Sequence, residues 1–591
     1  MGETHTALGS GDYAVILAYF AAFVAIGYLA RPGQEKDSRA FLLGGGRMPA
    51  FALGISCLMA AMSSFSLVMV PGEIFNHGLS FWVLGLVNPL FMPVACALFL
   101  RFYFRIGAFT PYEYLGRRYS PAVRTLVALL SAYGRLIYLG MVLFSTSKIF
   151  EGAAGWPNWL TILACGGVAL VFSAMGGLKA IVWTDVMQFV VLVGGLGCIL
   201  AMLFWKIDGG PVGAVVYAFE HGRGPTQFSR PEFYTLNPYV RLSFWLLLMR
   251  QFLGPIGTLA SDQMTVQRLL AAGDYRSGMK TQFVNTCLSI PTLLVLWLIG
   301  LSVFSFFSQH PELPVKSGDT ALFTFIATQL PSPLPGLVIA AMLAAVISTL
   351  NAVFNSLATV YLKEFHIRHI SPGLSEDRQV AVSRIATVAV GLIGIGLGLL
   401  ITLSAEWLRQ SVVEAQTVFY IFDAVVGPAF FYAILSRRAS TLLVWTAAGA
   451  LAGVKLAMIA WYSLSTSAAN AWEEGLPPGL AGPLDPVWIL PGLAAGLALL
   501  AAWFWLRRRA ARGEVVVLFA AAAALGFAGG IGLWAFFSAY YSEGRPLAVS
   551  FQWLGLPVDA AALLIGVVWL SLGKAQPPEK YRGLTLFDKG S

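Results

Sequence analysis

Residues 336–361 read GLVIAAMLAAVISTLNAVFNSLATVY. The run is apolar and long enough to cross a bilayer, which takes about 20 helical residues. Its centre nevertheless carries Ser348, Thr349, Asn351, Asn355, Ser356 and Thr359, grouped by helical spacing. Lipid cannot satisfy such groups, so they must face other helices or a wet cavity. Hydroxyl and amide oxygens gathered at mid-membrane also suit a hard cation that has shed its water. This helix alone leaves a plainer use open, in which Ser and Thr bond the carbonyl one turn back and join helices.

The surrounding chain is of the same character. Of 591 residues 58% are hydrophobic and only 11% charged, with mean hydropathy +0.74, which places the chain among multi-pass membrane proteins. The net charge of +9 is spread through short loops, so it reports topology rather than nucleic-acid binding. Cys57, Cys96, Cys165, Cys198 and Cys287 all lie in apolar segments without a CxxC pair, so neither a disulfide nor a zinc site is expected. The first apolar run lacks a basic leader and a small-residue cleavage site, and reads as a retained helix.

Apolar runs of span length fall near 13–30, 50–70, 80–100, 122–148, 158–175, 182–205, 241–260, 279–307, 336–361, 382–404, 411–435, 440–463, 487–506, 514–540 and 555–572. That predicts an all-α polytopic membrane protein with about fifteen spans. Basic loops such as RPGQEKDSRAFLLGGGR, LKEFHIRHISPGLSEDRQVAVSR and RRRAARGE recur on every second turn of the chain. Their side is the cytoplasm, so the N-terminus is expected outside and the C-terminal tail (574–591) inside. No stretch is long and polar enough for a soluble domain. The six histidines lie in loops or termini, so an enzyme is not expected and function must lie between helices.

Four segments in order carry more: FLLGGGRMPAFALGISCLMAAMSSFSLVMVPGEIFNHG, GGLKAIVWTDVMQFVVL, SDQMTVQRLLAAGDY and STLNAVFNSLATV. Together they resemble the sodium/solute symporter family, which includes sodium–glucose, proline and sialic acid cotransporters. VPGEIFNHG and STLNAVFNSLATV resemble the branch of iodide, multivitamin and monocarboxylate symporters. The resemblance covers roughly residues 12–440. It implies a leucine-transporter-like core of five-plus-five helices in inverted repeats, here 48–205 and 241–436. One extra helix (12–30) would precede this core and about four (440–573) follow it, in a single transporter domain. The first helix of each repeat would be broken at mid-membrane. Gly254-Pro255-Ile256-Gly257 supports such a break in the seventh span, since proline removes a donor and clashes one turn back. The second span has no Gly or Pro near its expected break, only Met59-Ala-Ala-Met62-Ser63-Ser64, so that break rests on the resemblance.

The resemblance also implies a sodium site made by the carbonyls of Met59, Met62 and Ala345 with the hydroxyls of Ser348 and Thr349. Neutral oxygens suit a monovalent ion, whereas carboxylates would favour divalent ones. Asp185 matches a carboxylate near the ion's cytoplasmic exit. A second sodium held by a hydroxyl pair one turn further is not expected, because Asn351 and Ala352 stand there.

Charges inside spans are costly and are functional candidates by default. Arg135 resembles an arginine that holds the substrate carboxylate in sialic acid carriers, and its paired N–H fork suits that group. Phe65, Ser66 and Tyr420 would shape the pocket beside Ser63, and Arg250 with Gln251 is a further candidate. The resemblance implies that the positions whose polar groups hold the sugar in sugar-carrying relatives are Phe65, Ser66, Cys287 and Tyr420 here, which argues against glucose and galactose. Arg135 and Arg250 could instead pair internally with Asp423 or Glu414.

The expected function is therefore sodium-coupled import of a small organic anion by alternating access, with a monomer as the unit in the lipid bilayer. The alternatives are a neutral or zwitterionic solute, for which Asp423 would neutralise an amine, and a membrane sensor without transport.

Overall fold

The computed structural model describes residues 8–30, 37–237, 239–313, 315, 318–403 and 423–473, the helical turns 522–529, and short pieces of 558–585. The regular elements of these residues are helical. Eight helices are long and apolar enough to cross a membrane, or nine when Ser38–Gly46 and Ala50–Ala61, which meet at 109°, are counted as one broken span. The chain is a multi-pass membrane protein. Residues 404–422 and 474–521 lie outside the described residues, and with them Glu414, Tyr420 and one expected span near 487–506.

In order the helices are α1 (Ser10–Leu29), α2 (Ser38–Leu43), α3 (Ala50–Ala61), α4 (Ser64–His77), α5 (Ser80–Val83), α6 (Val87–Ile106), α7 (Tyr112–Arg118) and α8 (Pro121–Ala154). They continue as α9 (Asn158–Lys206), α10 (Gly210–Glu220), α11 (Phe244–Ser261), α12 (Gln263–Leu270), α13 (Tyr275–Gln309), α14 (Gly318–Gln329), α15 (Leu334–Val360) and α16 (Glu376–Leu403). The helices Asp423–Leu435 and Thr441–Glu473 follow. α9 joins the two runs expected at 158–175 and 182–205. Its kink is at Gly177, whose φ of +59° only glycine adopts without strain.

The chain forms two compact units. The first holds residues up to Phe104 together with Arg135–Ser229 and Gln263–Leu403. The second holds Arg105–Gly134, Arg230–Asp262 and the residues after Ser404.

In the first unit α15, the helix quoted at the outset, is the core. It is 94% buried, against 28–50% for the other span-length helices up to Leu403. Small residues let its neighbours close in: a Cβ on Gly195 of α9 would lie 2.5 Å from that of Ala341. Membrane helices pack in this way because lipid offers no hydrophobic drive, so close backbone approach must hold them. α1 is pinned to the start of α15 by Asp12, whose carboxylate accepts the Gly336 N–H at 2.8 Å and that of Gly9 at 2.9 Å. At the other end of α15, Gln267 of α12 donates to the Leu42 carbonyl (2.6 Å) and to the Thr359 hydroxyl (3.0 Å).

In the second unit Arg118, 1% exposed, donates to the carbonyls of Ala433, Ser436 and Ala439, closing the end of the helix Asp423–Leu435. The Tyr112 hydroxyl donates to the last carbonyl of α11, that of Ser261, at 2.9 Å.

Two helix breaks test the expectations. Between α3 and α4, Met62 (φ −84°, ψ 88°) and Ser63 (φ −91°, ψ 169°) leave helical space, so the break lies where the resemblance puts it. Ser63 stands at the N-cap position of α4, where serine is favoured. The expected break at Gly254–Gly257 is corrected. α11 runs through Pro255 without interruption to Ser261, and the chain leaves helical space at Asp262 (φ −79°, ψ 102°). Proline's fixed φ is compatible with a helix and costs one hydrogen bond there. Pro71, Pro93, Pro291 and Pro428 also sit inside helices of this chain.

Candidate cation site

Where α3 stops, the carbonyls of its last turn lose their intrahelical partners. Thr349 of α15 meets them: its hydroxyl oxygen lies 3.4 Å from the Ala60 carbonyl and 3.3 Å from that of Met62. A hydroxyl has one proton, so three oxygens converge where at most one strong hydrogen bond can form. Met59, Ala345, Ser348 and Thr349 are all fully buried (0% exposed). The Thr349 hydroxyl and the carbonyls of Ala60 and Met62 are thus a cluster of neutral oxygens in which Ala60 stands where Met59 was expected, and neutral oxygens are the donor chemistry a monovalent hard cation needs.

Ser348, the neighbouring residue, serves a second purpose. Its hydroxyl donates to Asp185 Oδ1 at 2.6 Å. With its proton committed to the carboxylate, its lone pairs are left to accept. The other carboxylate oxygen takes the Ser56 hydroxyl at 2.5 Å, and Ser56 in turn accepts Arg268 Nε at 2.8 Å. Arg268 Nη2 lies 3.7 Å from Asp185 Oδ2. Ser56, Asp185 and Arg268 are 0%, 0% and 1% exposed, so an acid, a base and two hydroxyls are sealed together. Four helices meet here: α3, α9, α12 and α15.

Asn351, three residues past Ser348, is fully buried, and neither atom of its amide has a hydrogen-bond partner. One turn along α9 from Asp185, Gln188 donates to the Tyr19 hydroxyl of α1 at 3.1 Å.

The substrate candidates are more dispersed. Ser63 is buried at the break, and Phe65 and Ser66 occupy the first turn of α4. Arg135 lies half-buried on α8 with its guanidinium 5.5 Å from the Tyr138 ring centre. Arg250, exposed, and Gln251, half-buried, stand on α11, and Asp423 opens the helix Asp423–Leu435; these three belong to the second unit. Sequence reasoning missed Ser56 and Arg268. Ser56 lies one helical turn before Ala60, a spacing that could have placed it on the site's face. Arg268 sits in SDQMTVQRLLAAGDY, where its charge reads as a mark of the cytoplasmic side.

A multi-pass helical membrane protein with a mid-span helix break beside a buried oxygen cluster has the parts of an ion-coupled carrier. Residues 41–456 match the sodium:solute symporter family, and the chain belongs to it. The chain is 28% identical to the sodium-dependent multivitamin transporter of Oryctolagus cuniculus, over 71% of this chain and 64% of that protein. It is 27% identical to the sodium-coupled monocarboxylate transporter 1 of Xenopus laevis, over 71% and 66% of the two chains. With the sodium/sialic acid symporter NanT of Aliivibrio fischeri it shares 23% over 67% and 78%. The match thus spans just under two thirds of the first two relatives. A substrate-bound, outward-open structure of a Na+-coupled sialic acid symporter superposes with a TM-score of 0.71. That similarity covers 96% of this chain and 100% of the other at 18% identity, and it shows a common fold.

Proposed function

We propose that this chain is a sodium-coupled symporter that imports a small organic solute by alternating access. The observation that carries the reading is the contact of the Thr349 hydroxyl with the carbonyls of Ala60 and Met62 at the α3–α4 break. Sodium is held there by the carbonyls of Met59, Met62 and Ala345 and by the hydroxyls of Ser348 and Thr349. Asp185 acts through Ser348, turning that hydroxyl's lone pairs toward the ion. Because the ion bridges α3 and α15, binding it favours the arrangement in which these helices are close. That linkage is what a coupling ion requires.

The solute is a carboxylate-bearing anion, its carboxylate taken by Arg135 and its body by Ser63, Phe65, Ser66 and Tyr420, with Arg250 and Gln251 as further contacts. The multivitamin, monocarboxylate and sialic acid carriers among the relatives support this choice through the substrates in their names. A zwitterion is the second reading, with Asp423 neutralising its amine. The protein works as a monomer in the lipid bilayer, N-terminus outside and tail in the cytoplasm, with about fifteen spans around two inverted repeats (48–205 and 241–436).

The test is uptake into proteoliposomes under an inward sodium gradient, competed by a panel of monocarboxylates, sugars and amino acids. Saturable, sodium-dependent uptake blocked by the acids is expected. Uptake indifferent to sodium would remove the symport reading, and competition by sugars alone would remove the anion.

A further inference from the structure

Residues 576–585 lie along the second unit as a strap, held by hydrogen bonds that end on backbone carbonyls. The Gln576 N–H donates to the Arg437 carbonyl at 3.0 Å. One helical turn, Pro578–Tyr581, follows. From it the Lys580 ammonium donates to the Tyr119 carbonyl at 3.0 Å, and the Tyr581 ring centre lies 5.4 Å from the Arg437 guanidinium. Two carbonyls further on are also taken. Arg105 Nη1 donates to that of Gly583 at 3.1 Å, and the buried Tyr114 hydroxyl to that of Leu584 at 2.6 Å. The strap thus starts at the turn 436–440, crosses α7 and reaches the end of α6.

On its way it bridges a hinge. α6 ends at Ile106 and α7 begins at Tyr112, with Gly107 between them. Gly107 has a φ of +64°, a conformation that favours glycine, and a Cβ there would meet nothing within 4 Å. α7 itself is fixed to the helix Asp423–Leu435, because Arg118 donates to the Ala433 carbonyl at 3.1 Å and Tyr119 to that of Ala429 at 2.9 Å. The motion left open is that of the α6 end about Gly107. The strap grips both sides of it, Arg105 before the hinge and Tyr114 and Tyr119 after it. An exposed bond from Arg117 Nη2 to the Ile106 carbonyl, 3.1 Å, also crosses it.

The docked strap is balanced between gain and loss. Gly583 has a φ of +72°, and a Cβ on it would lie 3.0 Å from the Arg105 guanidinium, so a side chain there would push against its own donor. Two residues on, Thr585 is 1% exposed and its hydroxyl has no hydrogen-bond partner. A hydroxyl that gives up water without replacing it opposes docking. Carbonyl bonds and one ring contact therefore work against one stranded hydroxyl, which is the balance of a reversible contact.

We propose that residues 576–585 are a releasable strap across the Gly107 hinge, which restrains the end of α6 against α7 when docked and slows the transport cycle. The restraint stands on the geometry alone. The effect on transport rests on the symport reading, in which helices of the two repeats shift against each other.

The experiment is hydrogen–deuterium exchange on the purified full-length protein, followed at the strap and at the hinge (106–111), with uptake measured on the same preparations. Two substitutions on the strap itself shift docking in opposite directions. Gly583→Ala is expected to undock it and raise exchange at both segments about tenfold, the equivalent of one hydrogen bond. Thr585→Val removes the stranded hydroxyl at nearly equal shape, and is expected to lower exchange at both about tenfold. Sodium-driven monocarboxylate turnover is expected to rise about threefold in Gly583→Ala and to fall by a similar factor in Thr585→Val, as the docked population changes. The sodium concentration for half-maximal uptake should stay as in the wild type. Strap exchange that moves without the hinge, or that neither substitution moves, would overturn the proposal, as would equal turnover in all three proteins. If no protein, wild type included, shows sodium-dependent uptake, the symport reading falls and the effect on turnover with it. Hinge exchange then still decides the restraint: it stands if the hinge follows the strap and is overturned if it does not.

Discussion

At the scale of single residues, the chemistry at the α3–α4 break depends on where protons point. Thr349 offers its hydroxyl to two carbonyls at the break, and Ser348 spends its proton on Asp185. Removing one oxygen ligand costs about 1.4 kcal/mol when the loss is that of an ordinary polar contact. Thr349→Ala is therefore expected to raise the sodium concentration for half-maximal uptake about tenfold, at unchanged expression; an unaltered sodium titration would take Thr349 out of the site. Arg135→Lys keeps the charge but loses the planar fork. It should weaken carboxylate uptake at least tenfold, read as a rise in solute KM, and equal uptake would return Arg135 to a structural role. The oxygens of Ser348 and Thr349 stand out in the sequence as polar groups in an apolar helix, and the family resemblance singled these two out from the other polar residues of α15. Arg268 does not stand out, since a charge next to a basic loop looks like any topological marker until the fold carries it into the interior.

At the scale of elements, the two helix breaks show what local sequence can and cannot say. The Gly-Pro-Ile-Gly stretch of α11 has the composition of a break and is helical. The Met62–Ser63 step has no breaker and is broken. A proline's missing N–H is a small local loss, readily tolerated in a packed membrane helix. A break, by contrast, frees several carbonyls, and it persists only where something else satisfies them. At α3 that partner is Thr349, nearly 290 positions along the chain. At the end of α11 the Ser261 carbonyl is taken by Tyr112. The deciding interactions are thus long-range, and propensity is blind to them. It follows that Pro255→Ala should leave the sodium dependence of uptake within about twofold of wild type, since it restores one backbone hydrogen bond in a helix that is already formed. A sodium titration displaced tenfold or more would show that the Gly-Pro segment unwinds when the ion binds.

At the scale of the whole molecule, ion count and solute charge together set how much work a sodium symporter can do. One unit charge moving through 100 mV releases about 2.3 kcal/mol, and a tenfold sodium gradient adds about 1.4 kcal/mol. A neutral solute moved with one sodium draws on both, about 3.7 kcal/mol, which supports accumulation on the order of 500-fold. A monoanion moved with one sodium carries no net charge across, keeps only the gradient, and accumulates about tenfold. On the proposed reading one sodium accompanies one anion, no net charge crosses, and transport is electroneutral. Proteoliposomes given a tenfold sodium gradient should take up a monocarboxylate with no steady current, and clamping the membrane at −100 mV should not raise the plateau. A sodium-dependent inward current with the same acid would mean that more than one sodium enters per anion, against the single-ion assignment. A current only with zwitterionic solutes, together with steep voltage-driven accumulation, would keep one sodium and move the choice of substrate to the reading in which Asp423 meets an amine. The electrical measurement therefore separates ion count from solute charge, two quantities that uptake alone leaves entangled.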